Sequence, residues 1–132
     1  GETVRIFSKL KLETRIGGAS KTVSFHDKNL DEFVVRINKL FSFVGPINMD
    51  FFRKDGKYYI SEINPRFGGG YLHAHGAGVN FIDLIVSNIQ GLPNDIVWGE
   101  YPEGHVMMMY DAVVFGTAGD LVDKDCREYF VQ

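Results

Sequence analysis

Apolar residues recur at steps of three and four between Leu30 and Val44. This spacing places them in one stripe along a helix, so it predicts a helix over this segment. Asn29 followed by Glu32 has the spacing of a capping box at the start of that helix. Gly45-Pro46 is a typical stop signal and is expected to end it.

Extended segments are predicted on both sides of this helix. Residues 3 to 16 alternate loosely between apolar and polar positions, and an extended pattern resumes at Thr22. After the helix, runs from Ile47 to Arg53 and from Lys57 to Asn64 flank Asp55-Gly56. Because Asp-Gly is a strong signal for a tight turn, these two runs predict a β-hairpin.

The second half of the chain predicts a loop, a short helix and a strand. A glycine-rich loop is expected from about Phe67 to Gly78, and a helix from Phe81 to Ile89, with a buried face of Phe81, Leu84, Ile85 and Ile89. The apolar run from Val106 to Phe115 predicts a buried strand, and the tail from Leu121 to Gln132 is weakly patterned. Together the pattern predicts one α+β domain over residues 1–132, with helices packed on a mainly antiparallel sheet.

Composition and charge narrow the class of protein. The formal net charge of −3 argues against nucleic acid and anionic membranes as partners, since both select a basic face. No apolar run approaches the roughly 18 residues that span a bilayer, and the start of the chain lacks the pattern of a secretory leader. The one cysteine, Cys126, excludes an internal disulfide and has no partner base in the sequence, so we expect it to be inert. A cytoplasmic protein is the expectation.

Two acidic residues stand in the apolar strands of the predicted hairpin. Asp50 and Glu62 would be costly there without a partner, and a plain two-residue turn would place them on opposite faces. We therefore predict a one-residue bulge at Gly56 that pairs Arg53 with Lys57 and makes the two carboxylates diagonal neighbours on one face. The other side chains expected on that face are Asn48, Phe52, Ile60 and Asn64.

This face could bind a metal ion or belong to a structural ion-pair network. Asp50, Glu62 and Asn64 offer the oxygen ligands that magnesium prefers. Arg66, directly after Pro65, would be placed to meet phosphate with its planar guanidinium group. In the alternative, the two carboxylates pair with Lys or Arg, and from spacing alone the two interpretations are about equally supported.

A family resemblance favours the metal. Glu62-Ile63-Asn64-Pro65-Arg66, preceded by Gly45-Pro46-Ile47-Asn48-Met49-Asp50, resembles the metal-binding signature of ATP-grasp enzymes. Within that family the chain resembles the carbamoyl-phosphate synthetase large subunit and smaller carboxylate–amine ligases built like it. Residues 12–20 and 78–81 resemble the flanking parts of that family, so the ordered resemblance spans roughly residues 8 to 92. It shifts the balance to metal and ATP by about nine to one.

The resemblance implies roles for individual residues. It implies Mg²⁺ or Mn²⁺ held by Asp50, Glu62 and Asn64, with the glutamate bridging two ions. It implies phosphate or substrate contacts, with a catalytic role, for Arg66 and Arg15. The implied nucleotide contacts are Phe52, Asn48 and Arg66, and the implied substrate contacts are Gly68, Gly69, His73 and His75.

His73-Ala74-His75 also has the spacing of two zinc ligands on one strand face. It stands among glycines with no third ligand nearby in the sequence. We therefore favour a loop without zinc by roughly four to one.

The function implied by the resemblance is that of a C–N ligase. ATP would phosphorylate a small carboxylate, and an amine or ammonia would attack the acyl-phosphate. The chain would be the C-terminal subdomain of an ATP-grasp fold, inactive alone and completed in cis or in trans by an N-terminal half that carries the phosphate loop and lysines. A non-catalytic metal- or nucleotide-binding module and a purely structural α+β domain are the alternatives, and a homo-oligomer is left open.

Overall fold

A computed structural model describes residues 1–15 and 18–110. The elements are β1 (Lys9–Arg15), β2 (Gly18–Ser24), α1 (Lys28–Phe41), β3 (Asn48–Lys54), β4 (Lys57–Asn64), α2 (Tyr71–Gly76), α3 (Phe81–Ile89) and β5 (Val106–Met108). The described residues form an antiparallel sheet of order β1-β2-β5 and a separate antiparallel hairpin, β3–β4. This architecture confirms the predicted α+β class. The end of the predicted Val106–Phe115 strand, the tail and Cys126 lie outside the described residues.

Helix α1 begins two residues earlier than a capping box at Asn29 and Glu32 would require. Asp27 is the N-cap: its backbone is extended and its carboxylate accepts a hydrogen bond from the Asn29 amide at 2.9 Å. The predicted capping box is therefore wrong, because a short carboxylate two residues upstream already satisfies the first-turn amides. The helix ends at Phe41, where Ser42 takes a left-handed conformation with φ of 51° and donates its amide to Asn38.

The apolar stripes of the helices are only partly covered. In α1, Leu30 and Ile37 are buried, but Leu40 is 80% exposed, and Val44 beyond the helix is 91% exposed. Helix α3, all of it within the described residues, has no buried residue, and Ile89 is 80% exposed. On the predicted buried face, Phe81, Leu84 and Ile85 are half-buried and Phe81 packs against the buried residues around Tyr101, while Ile89 is exposed, so that face is covered only in part. No helix in the described ranges is long and apolar enough to cross a membrane.

The strand β5 is also more exposed than its sequence predicts. Val106 is half-exposed, and Met108 and Met109 are exposed. The strand pairs with β2 at the edge of the sheet, so one of its edges has no neighbour among the described strands. Its apolar composition therefore does not translate into burial.

The hairpin β3–β4 is attached to the start of α1. The Tyr58 hydroxyl donates to the Asp27 carboxylate at 2.6 Å, and the rings of Phe33 and Phe51 pack 5.9 Å apart. Burial, followed by the hydrogen bond to the Asp27 carboxylate and the charge of that group, raises the pKa of Tyr58 to about 12. The same hydrogen bond lowers the pKa of Asp27. One carboxylate thus caps the helix and orients the hairpin.

The main buried cluster is small and is centred on Tyr101. Its buried members are Ala74, Ala77, Val79 and Tyr101, with Phe7, Tyr71 and Phe81 packed against them. The Tyr101 hydroxyl accepts a hydrogen bond from the Ser8 amide at 3.1 Å and donates to the Phe25 carbonyl at 2.9 Å. Burial raises the pKa of Tyr101. This side chain therefore joins the start of β1 to the end of β2.

We expect Tyr101→Phe to lower the free energy of unfolding by about 1–3 kcal/mol, because it leaves a buried amide and a carbonyl without their partner. Urea unfolding followed by circular dichroism measures the change. Tyr110 is 87% exposed, so Tyr110→Phe serves as the matched control and should stay within about 0.5 kcal/mol of the wild type. Equal midpoints for all three proteins would show that the Tyr101 hydroxyl does not stabilise the fold.

Candidate metal and nucleotide site

The turn of the β3–β4 hairpin differs from the predicted one. Lys54 pairs with Lys57, and the two residues between them, Asp55 and Gly56, both have positive φ, at 51° and 72°. This is a two-residue turn of the type that favours Asn-Gly and Asp-Gly. The predicted bulge at Gly56 and the pairing of Arg53 with Lys57 are therefore wrong, since Gly56 serves the tight turn instead.

A bulge at Ser61 nevertheless brings the two carboxylates together. Phe51 pairs with Ile60 while Asp50 pairs with Glu62, so Ser61 is an extra residue in β4. Directly opposed residues share a face of an antiparallel pair. Asp50 and Glu62 therefore lie side by side, closer than the diagonal arrangement that the sequence predicts.

The neighbours of the carboxylate pair follow from the same register. Asn48 pairs with Asn64, two residues along each strand, so these amides share the face of Asp50 and Glu62. The Asn64 side-chain amide donates to the Glu62 carboxylate at 2.9 Å. Phe52 pairs with Tyr59. Ile60 pairs with Phe51, so its predicted place on the carboxylate face is wrong.

Two lysines of β1 reach this face from the other sheet. The Lys11 ammonium lies 2.5 Å from an Asp50 oxygen. Lys9, two residues earlier and therefore on the same face of β1, donates to the Gly70 carbonyl at 2.6 Å. Burial lowers the pKa of Lys9, the charge of Lys11 adds to that effect, and Asp50 opposes it. Sequence reasoning missed both lysines, although the alternating Lys9-Leu10-Lys11 pattern could have indicated them.

The glycine-rich loop lies between these two groups. A side chain on Gly68 would collide with the Asn48 amide, and one on Gly70 would collide with the Lys9 amine. Glycine at position 68 therefore lets the backbone approach β3 closely, while at position 70 the group in the way is the flexible end of the Lys9 side chain. The loop is shorter than predicted, since residues Tyr71–Gly76 form helix α2.

A cavity of about 490 Å³ lies beside Asp50. Lys9, Asn48, Asp50 and Gly68 line part of its wall, and the remaining lining includes apolar side chains of α1 and α3, among them Leu30, Val34, Leu84 and Ile85. Small-molecule sites typically have volumes of about 300–1,000 Å³ and combine apolar walls with a few polar groups. The cavity has both properties.

Arg66, Arg15 and Phe52, which are predicted to contact phosphate, substrate or nucleotide, lie at different distances along the strands from Asp50. Arg66 is exposed just after β4 and donates to the Phe67 carbonyl at 2.9 Å. Arg15 donates to the Glu13 carboxylate at 3.1 Å at the end of β1, about 13 Å along the strand from Lys11. Phe52 is 67% exposed, two residues from Asp50 on β3. Phe52 therefore lies next to Asp50 along β3, Arg66 follows the end of β4 with its guanidinium on the Phe67 carbonyl, and Arg15 lies further along β1.

The two histidines of helix α2 have opposite environments. His73 is 1% exposed, its Nε2 lies 3.0 Å from the His105 carbonyl, and its Nδ1 lies 2.6 Å from the Thr22 hydroxyl. Because a carbonyl only accepts, Nε2 carries the proton and Nδ1 accepts from Thr22. His73 is thus a structural histidine, and its predicted substrate contact is dropped. His75 is exposed, and the substrate contacts of His75, Gly68 and Gly69 stay predictions.

Oxygen ligands, rather than histidines or cysteines, are what this site offers a metal. Among residues 1–15 and 18–110, no group of three or more His, Cys, Asp and Glu side chains could hold a metal ion. The zinc site weighed for His73 and His75 has no further ligand of these types in that part of the chain. The candidate set therefore consists of two carboxylates and a side-chain amide oxygen.

A family profile matches most of this chain. The profile describes an ATP-grasp in the biosynthetic pathway with Ter operon, and it matches residues 1–109. The chain belongs to this ATP-grasp family. Membership marks it as a domain of the ATP-dependent ligase type and confirms the ATP-grasp resemblance of the hairpin sequence. ATP-grasp domains generally bind ATP with Mg²⁺ or Mn²⁺, so the family and the oxygen ligands of the hairpin agree. A comparison with curated proteins gives no match.

Proposed function

We propose that this chain is the metal- and phosphate-binding C-terminal part of an ATP-grasp ligase similar to the carbamoyl-phosphate synthetase large subunit. The reaction would transfer phosphate from ATP to a small carboxylate and then join that carboxylate to an amine or ammonia. The observation that carries the proposal is the direct pairing of Asp50, which lines the cavity, with Glu62. An N-terminal ATP-grasp subdomain, in cis or in trans, would supply the remaining nucleotide contacts.

The residues present fit a divalent metal. Asp50 and Glu62 supply carboxylate oxygens and Asn64 an amide oxygen, which are ligands that magnesium and manganese accept. The Lys11 ammonium already lies on Asp50, so the carboxylate is oriented to receive a cation. A bound metal would neutralise charge on the phosphate oxygens during transfer.

The other side chains have distinct tasks in this proposal. Lys11 and Arg66 would bind phosphate oxygens, the first as a mobile point charge and the second with two parallel donors. Phe52 would pack its exposed ring against the adenine base, and Asn48 would fix the glycine loop at Gly68. Gly69 and His75 would contact the substrate, and Arg15 would reach substrate or phosphate from the end of β1.

The proposal is tested by manganese titration of the chain, with ATP present and bound Mn²⁺ measured by electron paramagnetic resonance. We expect Asp50→Asn to weaken Mn²⁺ binding by about tenfold or more, because it removes a charged ligand. Asp55→Asn removes the same charge from the turn of the same hairpin, and asparagine tolerates the positive φ there. The control should bind as the wild type does. If Asp50→Asn binds Mn²⁺ as tightly as the wild type, the hairpin is not the metal site.

A further inference from the structure

Lys11 stands where a metal would approach Asp50. Its ammonium is 2.5 Å from the Asp50 oxygen Oδ2 and comes from β1, which belongs to the other sheet. An ammonium at this distance directs its charge and its protons at the carboxylate lone pairs that a metal would use. The described structure therefore shows Asp50 already engaged by a cation.

The charge of Asp50 is compensated without a metal. Lys11 lies on Asp50, and Lys9 on the same strand places a second positive charge near that carboxylate. Glu62 is exposed and accepts a hydrogen bond from the Asn64 amide. A divalent cation entering the site therefore meets a compensated carboxylate at Asp50. The same cation entering with a triphosphate also brings negative charge. The phosphate oxygens can then bind the lysine ammonium groups in place of the carboxylate.

The two lysines differ in how easily they can move. The Lys11 and Asp50 side chains are 42% and 25% exposed, and ion pairs at such sites are weak and readily exchanged. Lys9 is more deeply buried and is held by the Gly70 carbonyl at 2.6 Å. Lys11 is therefore the cation that can leave, since its long stem lets the ammonium swing away from β3.

We propose that Lys11 occupies the metal position on Asp50 in the metal-free protein and moves to the phosphate oxygens when the metal arrives with a triphosphate. This role rests on the proposed function of the hairpin. It adds a preference of the site for metal bound to a triphosphate over free metal. A free divalent metal ion must displace Lys11 from Asp50 and offers the Lys11 ammonium no new anionic partner. Metal bound to a triphosphate provides Lys11 with a new partner, so the site favours the complex over the free ion.

The test compares Mn²⁺ binding to wild type, Lys11→Gln and Lys57→Gln by electron paramagnetic resonance. Without triphosphate, Lys11→Gln should bind Mn²⁺ about 3- to 10-fold more tightly, because a positive charge near the ion has been removed. With inorganic triphosphate, the wild type should gain more affinity for Mn²⁺ than Lys11→Gln gains. Lys57 is exposed at the turn of the same hairpin, so Lys57→Gln is the control for net charge and should stay within about twofold of the wild type.

Two failures are distinguishable in this experiment. If Lys11→Gln binds free Mn²⁺ no more tightly than the wild type, and Asp50→Asn still weakens binding, the exchange at Lys11 is wrong and the metal hairpin stands. If Asp50→Asn binds Mn²⁺ as the wild type does in every condition, both the proposed metal site and the role of Lys11 are wrong.

Discussion

Replacing His73 by alanine should lower the free energy of unfolding by about 3–5 kcal/mol, a large share of the stability of a small domain. The side chain is among the largest that are fully buried, and its ring packs 5.0 Å from Phe7 and 5.3 Å from the ring of His105. Truncation leaves a cavity and removes the partners of the Thr22 hydroxyl and the His105 carbonyl. Urea unfolding at pH 7.5 or above measures the loss.

His75→Ala is the matched control, since His75 is exposed on the same short helix. It should change the free energy of unfolding by less than about 0.5 kcal/mol. If the two variants unfold at the same urea concentration, the hydrogen-bonded ring of His73 does not hold α2 against β2.

The same histidine makes stability depend on pH. Burial lowers the pKa of His73 below its ordinary value of 6.5, with the charges of Lys9 and His105 adding to the effect and the bond to the His105 carbonyl opposing it. The unfolded chain therefore binds a proton at a higher pH than the folded chain does. The contribution is fully present above pH 6.5 and is lost as the pH falls through the lowered pKa. His73→Ala should lack this component of the acid-side loss.

Glu62→Gln should stabilise the metal-free protein and abolish its stabilisation by manganese. Asp50 and Glu62 lie directly opposite each other, and like charges in that arrangement are destabilising. At a metal concentration about 100 times the Kd, binding adds about 2.7 kcal/mol to the folded state. Thermal melts should therefore show a rise in Tm of several degrees for the wild type and none for Glu62→Gln.

The melts also discriminate against a structural ion-pair network. In such a network, losing Glu62 removes the partner of a cation, so the variant would be less stable without metal. That result, together with a wild-type Tm that manganese leaves unchanged, would favour the network. Glu100→Gln, at an exposed position outside the hairpin, removes the same charge and is expected to keep the full manganese response.

The elements with strong local signals were predictable from the sequence. The hairpin strands flank an Asp-Gly turn, and α3 has the predicted bounds of Phe81–Ile89 because apolar periodicity ends at Gly91 and Pro93. Helix α2 was missed because its six residues are too few to show a period and stand among glycines. Burial was the least predictable property, since the exposure of Ile89 depends on what packs nearby rather than on α3 itself.

Only some of the residues of the candidate site could be predicted from the sequence. The carboxylates and Asn64 are close in sequence, and their alternation along strands indicates a shared face once one extra residue is assumed. The position of that residue was not predictable, because Gly56 suits both a bulge and a tight turn, and Ser61 carries no signal. Lys11 lies 39 residues from its partner Asp50, and such a contact depends on how two sheets meet.

The bulge at Ser61 makes the site sensitive to whether the residue count of the hairpin is odd or even. Removing or adding one residue between Asp50 and Glu62 would turn the glutamate to the opposite side of the ribbon, however conservative the remaining sequence. Substitutions at the turn leave that count unchanged, and insertions of two residues keep it odd or even as before. During divergence the length of the turn should therefore change only in even steps.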